Sequence, residues 1–303
     1  MIIESGKGGS SVNYQKVPLQ AGLYLVGVPI GTARDITLRA LDTLASADLL
    51  AAEDTRSLRK LMDIHGVPLG DRQILALHDH SGAGVQDRLL DAVRQGRSVA
   101  YASEAGMPLI ADPGFELVRA ATAAGLPVTS APGPSAVVTA LALGGLPTDA
   151  FFFAGFLPNA KAARLAALQA LVDVQGTLVI YESPKRLAAM LRDAARALGP
   201  ERPAAVCREL TKKFEEIRHG SLEELATVYA DKAPKGEIVV LIDRGRSSSV
   251  NQSTLEEDLK QALATLSVRD AADMVAQAHG LPRRQVYQTA LAFGKTDREG
   301  STE

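Results

Sequence analysis

The order in which apolar runs follow one another limits this chain more than any other feature. A run opening at Gly22, Leu-Tyr-Leu-Val-Gly-Val, is followed by Asp48–Ala52, Gln73–Leu77, Ser98–Ala102 and Leu126–Ser130, each short enough for a buried strand. Between them lie segments with helical spacing: Ile36, Leu38, Leu41 and Leu44 behind a cap at Asp35, then Val85, Leu89 and Val93, then Phe115–Ala124. Parallel strands need long crossover connections, so this alternation predicts a mostly parallel sheet between two layers of helices. Ser135–Leu143 is helical in composition, and Gly144-Gly145-Leu146-Pro147 breaks the pattern. Alternation resumes with strands at Phe151–Phe156, Thr177–Tyr181, Ala204–Cys207 and Glu237–Ile242. The helices here carry Leu165, Leu168 and Leu171, or span Arg186–Leu198 and Leu222–Ala230. The chain therefore divides into a leader over 1–20, an α/β domain over 21–146, a second over 147–246 and a helical tail over 250–295, with Ser247–Ser249 as a linker.

One connection is too long for its place. Ser103–Gly114 joins a strand to a helix in twelve residues, against a usual length of about 2–6. Gly106, Pro108, Pro113 and Gly114 stiffen it, and it lies at the carboxyl edge of the predicted sheet, where open α/β proteins bind their ligands. Val28-Pro29-Ile30-Gly31 and Ala131-Pro132-Gly133-Pro134-Ser135 are similar small-residue loops at neighbouring strand ends. Such loops suit a ligand held through main-chain amides and carbonyls.

Composition narrows the class. With 46% hydrophobic and 22% charged residues, 303 residues can bury a substantial core. A net charge of −2 gives no bulk attraction to nucleic acid, so an RNA partner needs a local basic patch. The lone Cys207 excludes internal disulfides and fits a reducing cytoplasm. No apolar run approaches transmembrane length, and Met1–Gln20 reads as a floppy leader without a signal-peptide core. Complete Gly-x-Gly-x-x-Gly, Walker-type and His-Glu-x-x-His motifs are missing; Gly82-Ala83-Gly84 is followed by Asp87 where a third glycine belongs. His78 and His80 lack a third ligand, so no metal is expected. In the tail, Ser267 caps a helix through Ala278, Gly280 stops it and Pro282 starts another. Arg283, Arg284 and Tyr287 of this helix-turn-helix-like pattern could meet a phosphate backbone.

The ordered motifs carry a resemblance. Val28–Gly31 with Asp35–Arg39, Ala52–Arg56, Leu77–His80, Ser103–Gly114, Pro132–Ser135, Gly155–Pro158, Glu182–Arg186 and Arg208–Lys212 resemble the bacterial 16S ribosomal RNA 2′-O-ribose methyltransferases. These are the cytidine-specific branch of the tetrapyrrole methylase superfamily, and the likeness runs from Gly22 to Arg244. It implies an α/β, two-domain class III (tetrapyrrole methylase-like) methyltransferase with a small helical C-terminal tail. It further implies S-adenosyl-L-methionine between the domains, a homodimer, a cytoplasmic location and 16S rRNA in the small ribosomal subunit as partner. Carried over by motif, the cofactor lies against Pro29, Glu104, Met107, Ser135, Ala136, Tyr181, Leu210 and Lys235. Two positions depart from the family's usual Ser-Asp-Ala-Gly-Thr-Pro: Glu104 keeps the carboxylate on a longer arm, and Met107 removes a hydroxyl.

Transfer of a methyl group from a sulfonium to a ribose hydroxyl needs alignment and either a base or a cation at the oxygen. Glu53, Asp54, Glu182, Glu209 and Lys212 are the candidates, with Glu182, Glu209 and Lys212 foremost; Arg56, His78, Arg186 and Arg208 are expected to hold the RNA. Two other readings keep the fold: a methylase of a small molecule such as a tetrapyrrole, which the cationic motifs disfavour, and a non-catalytic RNA-binding assembly factor.

Overall fold

The computed structural model describes residues 13–291 apart from 79, 80, 82, 246–251, 280, 282 and 285. The expected leader up to residue 12, His80, Gly82, the 247–249 linker, Gly280 and Pro282 therefore lie outside the described residues.

The first half runs β1 (Gly22–Val26), α1 (Leu38–Ser46), β2 (Leu49–Ala52), α2 (Thr55–Ile64), β3 (Ile74–Ala76), α3 (Ala83–Arg94), β4 (Ser98–Ala102), α4 (Phe115–Ala123), β5 (Val128–Ala131) and α5 (Ala136–Leu143). Its five strands form one parallel sheet in the order β3-β2-β4-β1-β5. Both faces are covered. Val26, Leu50, Ala52 and Ala100 pack against Leu41, Leu44, Leu58 and Met62, while Leu23, Leu49, Val99 and Tyr101 pack against Leu89, Val93 and Leu117. The alternation along each strand is the period-2 rule met from both sides.

Two local expectations change. Thr37, not Asp35, caps α1, its hydroxyl accepting the Ala40 N–H at 3.1 Å, because Thr37 stands next to the first helical residue. Leu38, placed by its spacing on the buried face, is 64% exposed. The end of the leader is also tied down: the Gln15 N–H donates to Asp42, the Val17 N–H to Ser46, and Tyr14 and Leu19 pack on the α1 side of the sheet.

The second half runs β6 (Phe151–Phe156), α6 (Lys161–Gln169), β7 (Thr177–Glu182), α7 (Pro184–Leu198), β8 (Pro203–Arg208), β9 (Glu216–Ser221), α8 (Leu222–Val228) and β10 (Ile238–Ile242). Its sheet has the order β6-β7-β10-β8-β9 and is mixed: only β6 and β7 run parallel. β9 was not foreseen, since Glu-Ile-Arg-His-Gly-Ser has no apolar alternation and forms an edge paired on one side only. On one face Leu178, Ile180, Val206 and Val240 meet α6, α7 and α8; on the other Val179, Ala205, Cys207 and Leu241 meet Val137, Ala140 and Leu141 of α5. α5 thus precedes the Gly-Gly break in sequence yet packs on the second sheet, and a Cβ on Gly144 would lie 2.1 Å from Leu241.

The tail adds α9 (Gln252–Leu263) and α10 (Val268–His279), the latter capped by Ser267 as its sequence predicts. Leu255, Leu259, Ala271, Val275, Val286 and Ala290 form a core of their own. No described helix is long and apolar enough to cross a membrane.

Candidate active site

The carboxyl edge of the first sheet gathers four loops. After β1 the chain doubles against the long loop: the Val28 N–H donates to the Gly106 carbonyl at 2.9 Å and the Gly106 N–H to the Val28 carbonyl at 3.1 Å. The Glu104 N–H donates to the Glu53 carboxylate at 3.2 Å, fixing the same loop to the end of β2. At its far end the buried Tyr101 hydroxyl donates to the Pro113 carbonyl at 3.0 Å. Leu109 and Ala111 sit at φ 74° and 61°, in the left-handed region that L-residues avoid. Backbone strain of this kind persists only where surrounding contacts over-determine it, and it concentrates at ligand sites. The Met107 sulfur accepts the Gly133 N–H at 3.3 Å, so the departure from the family's threonine ties the third and fourth loops together. Gly27 allows this contact, since a Cβ there would meet Gly133 N at 2.6 Å and Met107 Sδ at 2.7 Å.

The second sheet supplies the opposite wall. β7 delivers Tyr181 and Glu182 at its end. Tyr181 stacks edge-on with Phe153 and Phe156 at 4.9 and 5.6 Å between ring centres. Burial, then the carboxylates of Asp112 and Glu237, push its phenol up to about 12, so it stays neutral. Glu182 is 3% exposed, and burial raises its carboxyl above the ordinary range. One of its oxygens accepts the Ser183 N–H at 2.8 Å and faces Arg186 at 3.2 Å, while Oε2 has no hydrogen-bond partner. After β8 the chain turns through Glu209 and Thr211, both at positive φ (51° and 63°). Lys212 Nζ reaches Glu209 at 3.1 Å and Glu237 at 2.9 Å. Those two partners outweigh its desolvation and hold its pKa above the usual lysine value.

The walls enclose a cleft of about 600 Å³. Of the residues expected at the cofactor, Pro29, Glu104, Met107, Ser135, Ala136, Tyr181 and Leu210 line it, and so do Glu182 and Lys212. Lys235 does not; its carbonyl accepts from Arg208, and Gly236 stands at the wall in its place. Glu209 is absent from the lining; its carboxylate accepts the Glu237 N–H and pairs with Lys212, and the first of these bonds, then the second, hold it low. Asp54 is absent likewise. It caps α2 through the Arg56 and Ser57 N–H groups, whose hydrogen bonds hold its carboxyl below the usual range.

Arg208 and Arg186 are engaged within the chain: Arg208 with Glu216, and Arg186 with the Leu157 carbonyl and Glu182. Both guanidiniums thus have partners within the chain, which a phosphate would have to share or displace. Arg56 is exposed beside cleft-lining Ser57, and His78 lines a neighbouring cavity of about 210 Å³ that shares Asp112 with the cleft. The residue assignments omit Asp112, Phe156 and Glu237 from the wall, although the first two lie inside the motifs Ser103–Gly114 and Gly155–Pro158. Asp112 was within reach, for it belongs to the overlong loop.

Two α/β sheets that close one strained, acid-lined cleft at the end of a parallel sheet define a class of methylase, and comparison with known proteins agrees. Residues 22–226 match the family described as Tetrapyrrole (Corrin/Porphyrin) Methylases, and residues 251–294 match the "RsmI C-terminal HTH domain". Among solved structures, the methyltransferase CobJ superposes with a TM-score of 0.57 at 19% identity, covering 74% of this chain and 94% of that one. A uroporphyrin-III-C-methyltransferase from Thermus thermophilus superposes with a TM-score of 0.52 at 23% identity over 73% and 94%. Among curated relatives, "Ribosomal RNA small subunit methyltransferase I" of Mesorhizobium japonicum is 45% identical over 93% of this chain and 96% of its own length. The protein of that name from Halalkalibacterium halodurans is 38% identical over 91% and 96%. The chain belongs to the tetrapyrrole methylase family and, within it, to the ribosomal RNA small subunit methyltransferase I branch.

Proposed function

We propose that this protein transfers a methyl group from S-adenosylmethionine to the ribose 2′-hydroxyl of a cytidine in 16S rRNA of the small ribosomal subunit, in the cytoplasm and as a homodimer. The observation that carries the reading is the make-up of the cleft. Its lining holds four carboxylates, Glu104, Asp112, Glu182 and Glu237, against one lysine, Lys212, and no arginine. That balance suits a cationic sulfonium and opposes a polyanion inside the cleft. Ile30, Ile110, Leu210 and Ile238 offer apolar surface to an adenine, and about 600 Å³ falls within the range of small-cofactor sites. The cofactor would rest on Pro29, Glu104, Met107, Ser135, Ala136, Tyr181 and Leu210, and when bound it supplies the electrophilic methyl group.

The chain's own residues do the rest. Glu182, kept above the usual carboxylate range by burial, takes the hydroxyl proton on its unpartnered Oε2 once its side chain, fully buried here, turns toward the cleft. Lys212, held cationic by Glu209 and Glu237, stabilises the oxygen as its charge develops. Self-association is supported by edge strand β6, which leaves Phe151 and Phe152 half-exposed to a second copy.

The test incubates the protein with labelled S-adenosylmethionine and small subunits from cells lacking the activity, then maps the modified nucleotide. Label in a cytidine 2′-O-methyl group is expected. Label elsewhere, or on a tetrapyrrole and not on RNA, overturns the reading.

A further inference from the structure

The mouth of the cleft carries exposed rings that the chemistry above does not use. Exposed rings are frequent in this chain, Phe115, Phe151, Phe152, Phe156 and Phe214 among them, but among the described residues a cation lies over the face of two, Phe115 and Phe214. Phe214 is 63% exposed in the loop that bears Lys212, and the Lys213 ammonium lies over its ring at 5.6 Å. In the first half Phe115 is 61% exposed, with the Arg119 guanidinium over its ring at 5.8 Å and ion-paired at the surface with Glu116, a pairing that a phosphate must displace. Phe115 lines the small cavity that shares Asp112 with the cleft, and Phe214 follows cleft-lining Lys212 by two residues. The Phe214 loop is built rather than loose: the Thr211 N–H donates to the Glu215 carboxylate at 2.6 Å, and the Glu215 N–H to the Lys212 carbonyl at 3.1 Å.

An open ring with a cation on its face is matched by a partner that brings a flat π-system and a negative charge together. An unpaired nucleotide does so, with the base stacking on the ring and the phosphate meeting the cation. Protein interfaces, by contrast, are depleted in lysine at their centres. The cleft itself is acidic, so the RNA backbone must be held outside it. We propose that Phe214 with Lys213, and Phe115 with Arg119, are two stacking stations for unpaired nucleotides flanking the methylated ribose, so that the substrate is recognised as single-stranded RNA drawn across the cleft mouth. This rests on the RNA-methyltransferase reading above.

Because the chain lacks tryptophan, Phe214→Trp installs a sole indole reporter in the full-length protein. Its emission should be quenched by a short single-stranded RNA oligonucleotide and not by the same sequence annealed to its complement. Phe214→Ala and Phe115→Ala should each weaken single-strand binding about tenfold, with S-adenosylmethionine affinity, measured by equilibrium dialysis, unchanged. Phe214→Trp should restore the affinity that alanine loses. Lys213→Ala should lower the salt dependence of binding by about one phosphate contact. Alanine variants that bind RNA as the wild type does, or an indole that responds equally to duplex, would overturn the proposal. So would emission that changes with protein concentration alone, which would mark the rings as a self-association surface. Label transfer by the wild type to small ribosomal subunits is followed in parallel: its absence sinks the methyltransferase reading, whereas transfer with unaffected variants sinks only the stacking stations.

Discussion

Arg186 and Glu182 show what a motif cannot tell about its own residues. The string Glu-Ser-Pro-Lys-Arg reads as a cationic loop, but in the fold Arg186 turns back onto the Glu182 carboxylate and the Leu157 carbonyl. Arg186→Ala should therefore destabilise the protein by about 1–3 kcal/mol, because it strands a buried carboxylate. Urea unfolding with an unchanged slope checks this. Glu182 has the opposite linkage from a salt-bridged acid. Its folded pKa lies above its unfolded value, so the native state binds the extra proton, and stability falls as pH rises from the ordinary carboxylate range through the raised pKa. Glu182→Gln should flatten that part of the melting-temperature profile. It should also lower methyl transfer about a hundredfold or more and remove the rising limb of the pH–rate curve. Melting scans and single-turnover rates across pH decide both points. Seven of the eight residues expected at the cofactor line the cleft, because loops rich in glycine and proline announce themselves. The sequence did not show that Arg186 and Arg208 have partners within the chain, because partner choice depends on strands brought together from far along it.

At the level of elements, the first sheet depends on contacts where no side chain fits. Gly27→Ala would press a methyl against the Gly133 backbone, which cannot yield as a side-chain tip could. A loss of about 1–3 kcal/mol is expected, with weaker cofactor binding as the β1 and β5 loops part; calorimetry with and without S-adenosylmethionine reads both. Asp48 joins the starts of β2 and β4, accepting the Ser98 N–H at 2.8 Å and hydroxyl at 2.7 Å, and those bonds hold its carboxyl below the usual value. Its contribution is complete above the ordinary aspartate range and is lost as pH falls through the lowered pKa. Asp48→Asn should thus reduce the melting temperature at neutral pH and converge with the wild type in acid. The parallel sheet was legible because both its faces are buried and its strands read as apolar runs. β9 was not, since an edge strand with one paired side can carry Glu, Arg and His, and the role of α5 was hidden because packing against Leu241 is a long-range event.

The whole molecule is two sheets sharing a cleft, followed by a tail with its own core. Truncation after residue 245 should leave S-adenosylmethionine affinity intact and abolish or sharply reduce methylation of assembled subunits; dialysis and label transfer on the truncated chain test this. The register of β1 has a consequence for how the protein comes into being. β1 is flanked on both sides by strands made much later: Gly22 pairs with Ser98 and Leu23 with Val128. A growing chain must therefore carry an apolar strand with both hydrogen-bonding edges open until β5 emerges, and loop closure over that separation is slow. During synthesis, the first half should resist protease only once β5 has cleared the exit tunnel. Until then the two open edges of β1 are the kind of surface that chaperones cover on a nascent chain.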